Sequence, residues 1–264
     1  MLTIDFLGSG SGGNATLVRW GRTCVLVDCG FGPRVLRRRL AEVGLQPEAL
    51  SALLVTHEHG DHVAGLRTLA RLPGLPVHLT ARTAEALGGT SDWDCEPVLI
   101  TPGRSFRVGL FEVLPFSTAH DARQPVGFVL SLPDNRRLGI ATDLGHANRE
   151  AVDALRGCQL LGIEANHDPR LLRSGPYPAF LKRRICSRRG HLSNADAADL
   201  LDLVAGKELE HLFALHVSRT NNAPDLARRT LQSRLRRLGL APLVTVVEQN
   251  RVLRYPPPGQ LSLF

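Results

Sequence analysis

One heptapeptide constrains this chain more than any other feature: Thr56-His57-Glu58-His59-Gly60-Asp61-His62. It follows the apolar run Leu53-Leu54-Val55, which reads as a buried strand, and it opens a helical pattern over 61–71. Four potential ligands within six residues, at a strand end, are more than packing requires. Histidine is a common ligand for zinc, iron and manganese, and aspartate adds charge and affinity for hard metals. A strand-to-helix turn can spread such groups around two neighbouring ions. His57 and His59 would then face one ion, Asp61 and His62 the other. A solvated histidine-rich turn is the plain alternative, and the order H-x-H-x-D-H directly after a strand argues against it.

Around the motif, short β-type runs alternate with turns. Residues 2–7, 15–19 and 24–27 read as strands, and 33–43 as a helix with Pro33 early and Gly44 as its stop. Further strands are expected at 77–79, 98–100, 111–115, 128–132 and 138–141. After Asp143, helices (149–155, 194–203, 224–238) alternate with strands (160–163, 212–215, 243–247). Strand blocks separated by helices predict two β-sheets between helical layers. There is no internal repeat. The one linker-like stretch, Pro256-Pro257-Pro258-Gly259, divides the chain into a domain over 1–255 and a tail over 256–264.

Composition excludes several classes. With 264 residues, 43% hydrophobic and 22% charged, the chain can bury a core and is neither disordered nor a membrane protein. Its start carries no basic signal-type region, and no apolar run is long enough to span a bilayer, so a cytoplasmic protein is expected. The five cysteines are odd in number and include no C-x-x-C, which argues against a disulfide framework or zinc knuckle. A net charge of +7, almost all from arginine, suits a polyanionic partner. A GC-rich coding sequence would explain the arginine excess equally well. The loop Gly8-Ser9-Gly10-Ser11-Gly12-Gly13-Asn14 lacks the ending of a P-loop. It is either a flexible hairpin turn or a backbone approach to phosphate, with Ser11 and Asn14 as candidate contacts.

The histidine-rich turn resembles that of the metallo-β-lactamase superfamily, and the rest of the chain supplies further members in order. His120, in Ser117-Thr118-Ala119-His120-Asp121, matches the third ligand of the first metal. Asp143, in Ala141-Thr142-Asp143-Leu144-Gly145, matches the bridging carboxylate, and His216, in Ala214-Leu215-His216-Val217-Ser218, the last ligand of the second metal. Asp28 matches a position that supports the ligand loop, a role extended here to His167 and Ser218. The resemblance implies an α/β fold, the αββα four-layer sandwich, and two divalent ions. Ligand type leaves zinc, manganese and iron open. Two adjacent ions acidify a shared water as nucleophile and clamp a phosphoryl group, and Asp61 is counted with the catalytic residues on that ground. Glu164 and His191 resemble the pair that nucleases of this superfamily, such as tRNA 3′-end processing enzymes, place beside the leaving group. His191 would be the general acid and Glu164 its orienter.

Several segments are similar in order to the bacterial YycJ/WalJ exonuclease subfamily: the glycine-rich loop, Glu164-Ala165-Asn166-His167-Asp168, Gly175-Pro176-Tyr177-Pro178, Leu181-Lys182-Arg183-Arg184-Ile185, Gly190-His191-Leu192-Ser193-Asn194, and His216-Val217-Ser218-Arg219-Thr220-Asn221-Asn222. That similarity implies exonuclease activity on DNA, with 5′→3′ polarity and mismatch repair as the expected setting. Val217 and Arg219-Thr220 depart from the more usual leucine and acidic pair. Lys182, Arg183, Arg184, Arg188 and Arg189, upstream of His191, are candidate phosphate contacts, with Asn221 and Asn222 beside them. The arginines at 228–237 read as a solvated helix face. Aromatic residues are 5% of the chain, so base-stacking platforms look sparse. An RNA-processing nuclease, a small cyclic phosphodiesterase and a β-lactamase-type amide hydrolase share the metals. A non-catalytic nucleic-acid or clamp-binding module is the rival from another class.

The last five residues, Gln260-Leu261-Ser262-Leu263-Phe264, resemble the peptide by which bacterial replication and repair proteins grip the DNA polymerase III sliding clamp. Gln260 would hydrogen-bond at a pocket rim, while Leu261, Leu263 and Phe264 fill apolar pockets and the prolines act as a stiff spacer. The alternative is that these apolar residues pack back onto the domain.

Overall fold

A computed structural model describes residues 1–91, 93–95 and 97–257. The chain begins with three antiparallel strands, β1 (Leu2–Gly8), β2 (Ala15–Trp20) and β3 (Thr23–Val27). It then alternates helices and strands: α1 (Pro33–Glu42), β4 (Ala52–Leu54), α2 (Gly60–Val63), α3 (Leu66–Leu69), β5 (Val77–Thr80), α4 (Ala81–Ala86) and β6 (Pro97–Ile100). The second half repeats this plan. The meander β7 (Phe106–Val108), β8 (Phe111–Ser117), β9 (Val126–Ser131) and β10 (Arg137–Ala141) comes first. It is followed by α5 (Arg149–Leu155), β11 (Leu160–Glu164), α6 (Pro169–Ser174), α7 (Ala179–Ile185), α8 (Asn194–Val204), β12 (His211–Leu215), α9 (Pro224–Arg237) and β13 (Leu243–Val246). A final strand, β14 (Leu253–Tyr255), returns to the first sheet beside β1.

The strands form two seven-stranded sheets, ordered β14-β1-β2-β3-β4-β5-β6 and β13-β12-β11-β10-β9-β8-β7. In each, hairpin-linked strands are antiparallel and strands linked through helices are parallel, as crossover connections require. Three apolar cores define four layers. Phe6 and Phe213 meet between the sheets at 4.7 Å, with Phe111 and Phe128 fully buried beside them. Leu36 and Leu40 of α1 cover the outer face of the first sheet. Leu155, Leu200, Leu201 and Leu231 of α5, α8 and α9 cover that of the second. This is the αββα sandwich.

One expected helix is broken. Residues 61–71 form two short helices, α2 and α3, split at Ala64 and Gly65. Gly65 N donates to Cys29 O at 2.8 Å, and a Cβ there would meet Leu36 Cδ2 at 2.8 Å and Phe31 O at 2.9 Å. The turn after β3 therefore presses on the chain where a straight helix would continue. The short strands β7 and β14 and the short helices α4, α6 and α7 escape a reading by periodicity, since each spans too few residues to establish one. Among the described residues, no helix is long and apolar enough to cross a membrane. Gln260, Leu261, Leu263 and Phe264 lie outside the described residues.

Candidate metal centre

Most of the candidate ligands sit on loops at the C-terminal ends of parallel strands, where open α/β sheets place their sites, while His120 follows the antiparallel strand β8. Asp28 follows β3, Thr56 and His57 follow β4, Asp143 follows β10, Glu164 ends β11 and His216 follows β12. Three of these hold left-handed backbone: Asp28 (φ 58°), Asp143 (φ 58°) and His216 (φ 52°). Such conformations cost about 1–3 kcal/mol each and persist where the surroundings over-determine them.

Ligand-type atoms of His57, His59 and His120 lie within 4.8 Å of one another, and so do those of Asp61, His62 and His216. Asp143 stands between the groups, with Oδ2 3.0 Å from His62 Nε2, and Oδ1 3.6 Å from His120 Nε2 and 3.8 Å from His216 Nε2. The chain thus brings together all seven residues read as ligands. Asp143, Glu164, His191 and His216 form a further group within the same limit. Three imidazoles are steered from the far nitrogen: His120 Nδ1 donates to Gly190 O (3.0 Å), His62 Nδ1 to Asp28 (2.7 Å) and His216 Nδ1 to Glu164 (3.1 Å). His57 Nδ1 lies 3.0 Å from Thr56 Oγ1, while its Nε2 is buried with no hydrogen-bond partner. An orphaned imidazole nitrogen facing two other histidines and a carboxylate fits a cation and little else.

The electrostatics agree. Burial disfavours charge on His62, yet Asp143 and Asp28 outweigh it and hold its imidazolium up to about 10. His216 is raised in the same way, against burial, by Asp143, Asp61 and Glu164. Burial pushes His57 and His120 down. Protons on His62 and His216 therefore stand where a metal cation would, and metal binding must displace them.

Asp28 occupies the supporting position expected of it. Its carboxylate accepts from Thr56 N (2.8 Å) and Thr56 Oγ1 and orients His62. Glu164 is fully buried. Its Oε2 accepts from Leu144 N (2.9 Å) and Leu192 N (3.1 Å), and its Oε1 lies 2.8 Å from His191 Nδ1 and 3.1 Å from His216 Nδ1. Burial would raise this carboxyl, but His191 and His216 hold it down to about 2. Burial opposes a proton on His191, and Glu164 more than restores it. His191 is also 3.5 Å from Asp143 Oδ1, with its ring 5.1 Å from that of His120. Its loop is fixed by the Ser193–Asp196 capping box of α8 and by Gly145, where a Cβ would strike Arg188 O at 2.3 Å.

Other expected residues are placed differently. The amides of Gly10, Gly12 and Gly13 are taken by Asn14 Oδ1, Gln249 Oε1 and Gly10 O, so the glycine-rich loop is a closed hairpin turn rather than a phosphate cradle. Asn14, Asn221 and Asn222 are buried rather than available at the surface. Asn14 bonds Ser9 and Gly10, and Asn222 bonds Ala165 O and Asn194. Ser11 and Ser218 do line the cavity of about 310 Å³ over the cluster. His167 is buried beside a different cavity, of about 510 Å³, on the other side of His191, and its backbone pairs with Ser193 and Asn194.

The basic stretch divides. Lys182 donates to Arg173 O, Arg189 holds His120 O and Ala122 O, and Arg184 pairs with Asp121 at 2.5 Å. Arg183 and Arg188 have no side-chain partner among the described residues. Sequence reasoning passed over Thr56, Asn166 and Asp121. Asn166 Nδ2 donates to His216 O at 3.0 Å. Each lies within or next to a motif residue, and that adjacency was the available signal.

A β-lactamase superfamily domain matches residues 23–216. The chain belongs to the β-lactamase superfamily. Within it, the chain is 34% identical over 241 residues to the exodeoxyribonuclease YycJ of Bacillus anthracis, covering 90% of each. It is 33% identical over 236 residues to the exodeoxyribonuclease WalJ of Streptococcus pneumoniae, covering 88% of this chain and 87% of that one. Among solved structures, the metallo-β-lactamase fold protein YhfI of Bacillus subtilis superposes with a TM-score of 0.72 at 18% identity, covering 96% and 98% of the two chains. The chain is thus a metal-dependent hydrolase of this superfamily, grouped with the YycJ and WalJ proteins.

Proposed function

We propose that this hydrolase is a two-metal phosphodiesterase that degrades DNA from an end. His57, His59 and His120 would hold one ion and Asp61, His62 and His216 the other, with Asp143 close to both groups. The observation that carries the phosphodiesterase reading is the pair of buried Glu164 and half-buried His191, 2.8 Å apart, at the edge of the ligand cluster. Bound there, two divalent ions supply an acidified water and neutralise charge on phosphoryl oxygens. His191 hands a proton to the departing oxygen, a step an alkoxide needs and an aryl oxide does not. Glu164 keeps His191 protonated and fixes its ring by accepting from Nδ1, which leaves Nε2 as the exchanging nitrogen. Arg184, held by Asp121 at the cavity mouth, meets the incoming phosphate.

DNA is the favoured substrate because the long-range relatives are named exodeoxyribonucleases and because the tail at 260–264 suits a sliding clamp. A tethered clamp contact raises the local concentration of enzyme at replicated DNA, consistent with mismatch repair and 5′→3′ polarity. Zinc, manganese and iron all suit the donor set. The test is incubation of the metal-loaded protein with end-labelled DNA, end-labelled RNA, a cyclic nucleotide and nitrocefin. Turnover of DNA above the other three supports the reading. Preference for RNA, the cyclic nucleotide or the lactam replaces it.

A further inference from the structure

Beside the metal cavity, α7 carries an aromatic residue that the chemistry leaves unused. Tyr177, Leu181, Arg184 and Ile185 line the cavity from the α7 side. Phe180 sits one turn before Arg184 on α7, so the two share a face, and Arg183 lies three residues on. Phe180 is 67% exposed, more than any other large hydrophobic residue among the described residues. Its surroundings are cationic: Arg183 is unpaired among the described residues, and Arg184 is tied to Asp121 while its side chain stays 58% exposed.

We infer that Phe180 is a stacking platform for a nucleobase of a single-stranded DNA end entering the metal cavity, with Arg183 and Arg184 holding the flanking phosphates. The inference rests on the nuclease reading above and gives it a substrate class: unpaired ends, whose bases are free to leave the helix stack. An aromatic face between two guanidinium groups matches a strand that alternates flat bases with anionic phosphates. Duplex DNA keeps its bases stacked on one another and offers the ring nothing. A second copy of this chain would bring its own basic α7 against the first, placing like charges together.

The test measures binding without cleavage, in EDTA, using a single-stranded oligonucleotide with 2-aminopurine near its end and an abasic oligomer of the same length. Wild type and Phe180→Trp are expected to bind the normal strand about tenfold more tightly than the abasic one, with 2-aminopurine fluorescence quenched on binding. In Phe180→Ala that preference shrinks toward one. Equal loss on both oligomers overturns the inference by making Phe180 structural, and so does an undiminished preference. A shift from dimer to monomer in Phe180→Ala overturns it in favour of self-association. Because binding is read without turnover, a protein that cleaves no DNA with any metal refutes the nuclease reading while the stacking result still decides Phe180.

Discussion

Replacing Glu164 by Gln removes one charge and almost no volume, so its effect isolates what the carboxylate does. Oε2 satisfies two backbone amides, Leu144 N and Leu192 N, and Oε1 faces two imidazoles, His191 Nδ1 and His216 Nδ1. A carboxamide has one acceptor oxygen. If that oxygen keeps the amides, its NH2 donates toward both histidines. Each must then present a lone pair at Nδ1 and carry its proton on Nε2, which is the nitrogen His216 directs at Asp61 and the metal cluster. His191 loses its imidazolium and His216 its ligand geometry. Two charge-assisted hydrogen bonds at roughly 1.5–3 kcal/mol each are at stake. A general acid supplies about 10²–10⁴-fold, and an outer partner of a ligand about 10–100-fold in metal affinity or activity. The expected result for Glu164→Gln is a kcat on DNA lower by about 10²–10³-fold at saturating metal, with weaker metal binding by calorimetry. On an aryl phosphodiester the loss is smaller, because that leaving group departs unprotonated. A kcat within about threefold of wild type on DNA would refute the orienting role.

Further outcomes follow from the same geometry. Asp61→Ala should retain its far-ultraviolet circular dichroism and lose DNA cleavage, as should the wild type in chelator; a full-rate Asp61→Ala enzyme contradicts the two-metal arrangement. Replacing Arg183 and Arg188 by Ala should weaken DNA binding without sequence preference and flatten its dependence on salt, and an unchanged slope reassigns them to the solvated surface. Gly145→Ala drives a methyl into the backbone at Arg188, so a stability loss of about 1–3 kcal/mol in urea is expected, with a larger fall in kcat than in KM; unaltered stability would mean the loop gives way freely. Burial holds His78 and His211 down to about 4, against about 6.5 in an unfolded chain. The unfolded chain therefore binds more protons, and Tm in EDTA should fall as pH drops from about 6.5 to 4. His211→Gln should fall less steeply, and identical slopes would remove the histidine from the account. Deleting residues 260–264 should abolish binding to a purified sliding clamp and spare cleavage of free DNA, an outcome reversed if those residues pack on the domain.

The His/Asp cluster was legible because its members are chemically conspicuous and several of them, His57, Asp143 and His216, directly follow apolar strands. Strand periodicity likewise exposed the two-sheet plan. What the sequence hid was set by tertiary closeness. Gly65 breaks the helix after the ligand turn because Cys29 O and Phe31 O press on it, residues more than thirty positions away. Gln249 closes the glycine-rich loop from the far end of the chain, so its amides, open on paper, are already bonded. Asn14 and Asn222 are polar residues beside functional motifs, yet much of their hydrogen-bonding capacity goes into holding neighbouring backbone, while Asn14 Nδ2 also lies 3.1 Å from His62 Nε2. The five basic residues from Lys182 to Arg189 look alike in sequence, and only packing separates Lys182, Arg184 and Arg189, which grip neighbouring loops, from Arg183 and Arg188, which have no side-chain partner among the described residues. A low aromatic content likewise gave no hint of Phe180, whose exposure beside two arginines of α7 emerges only from the fold.

The central claim, that the His/Asp cluster and the Glu164–His191 pair together make a metal-dependent nuclease acting on DNA ends, meets its most direct test in a time course. Protein stripped of metal and reloaded with manganese, zinc or iron is given DNA labelled at the 5′ end or at the 3′ end, and the released products are resolved by size. The account predicts no release from stripped protein, and mononucleotides accumulating from the 5′ label from the earliest times once metal is restored. Intact labelled DNA with all three metals would contradict it.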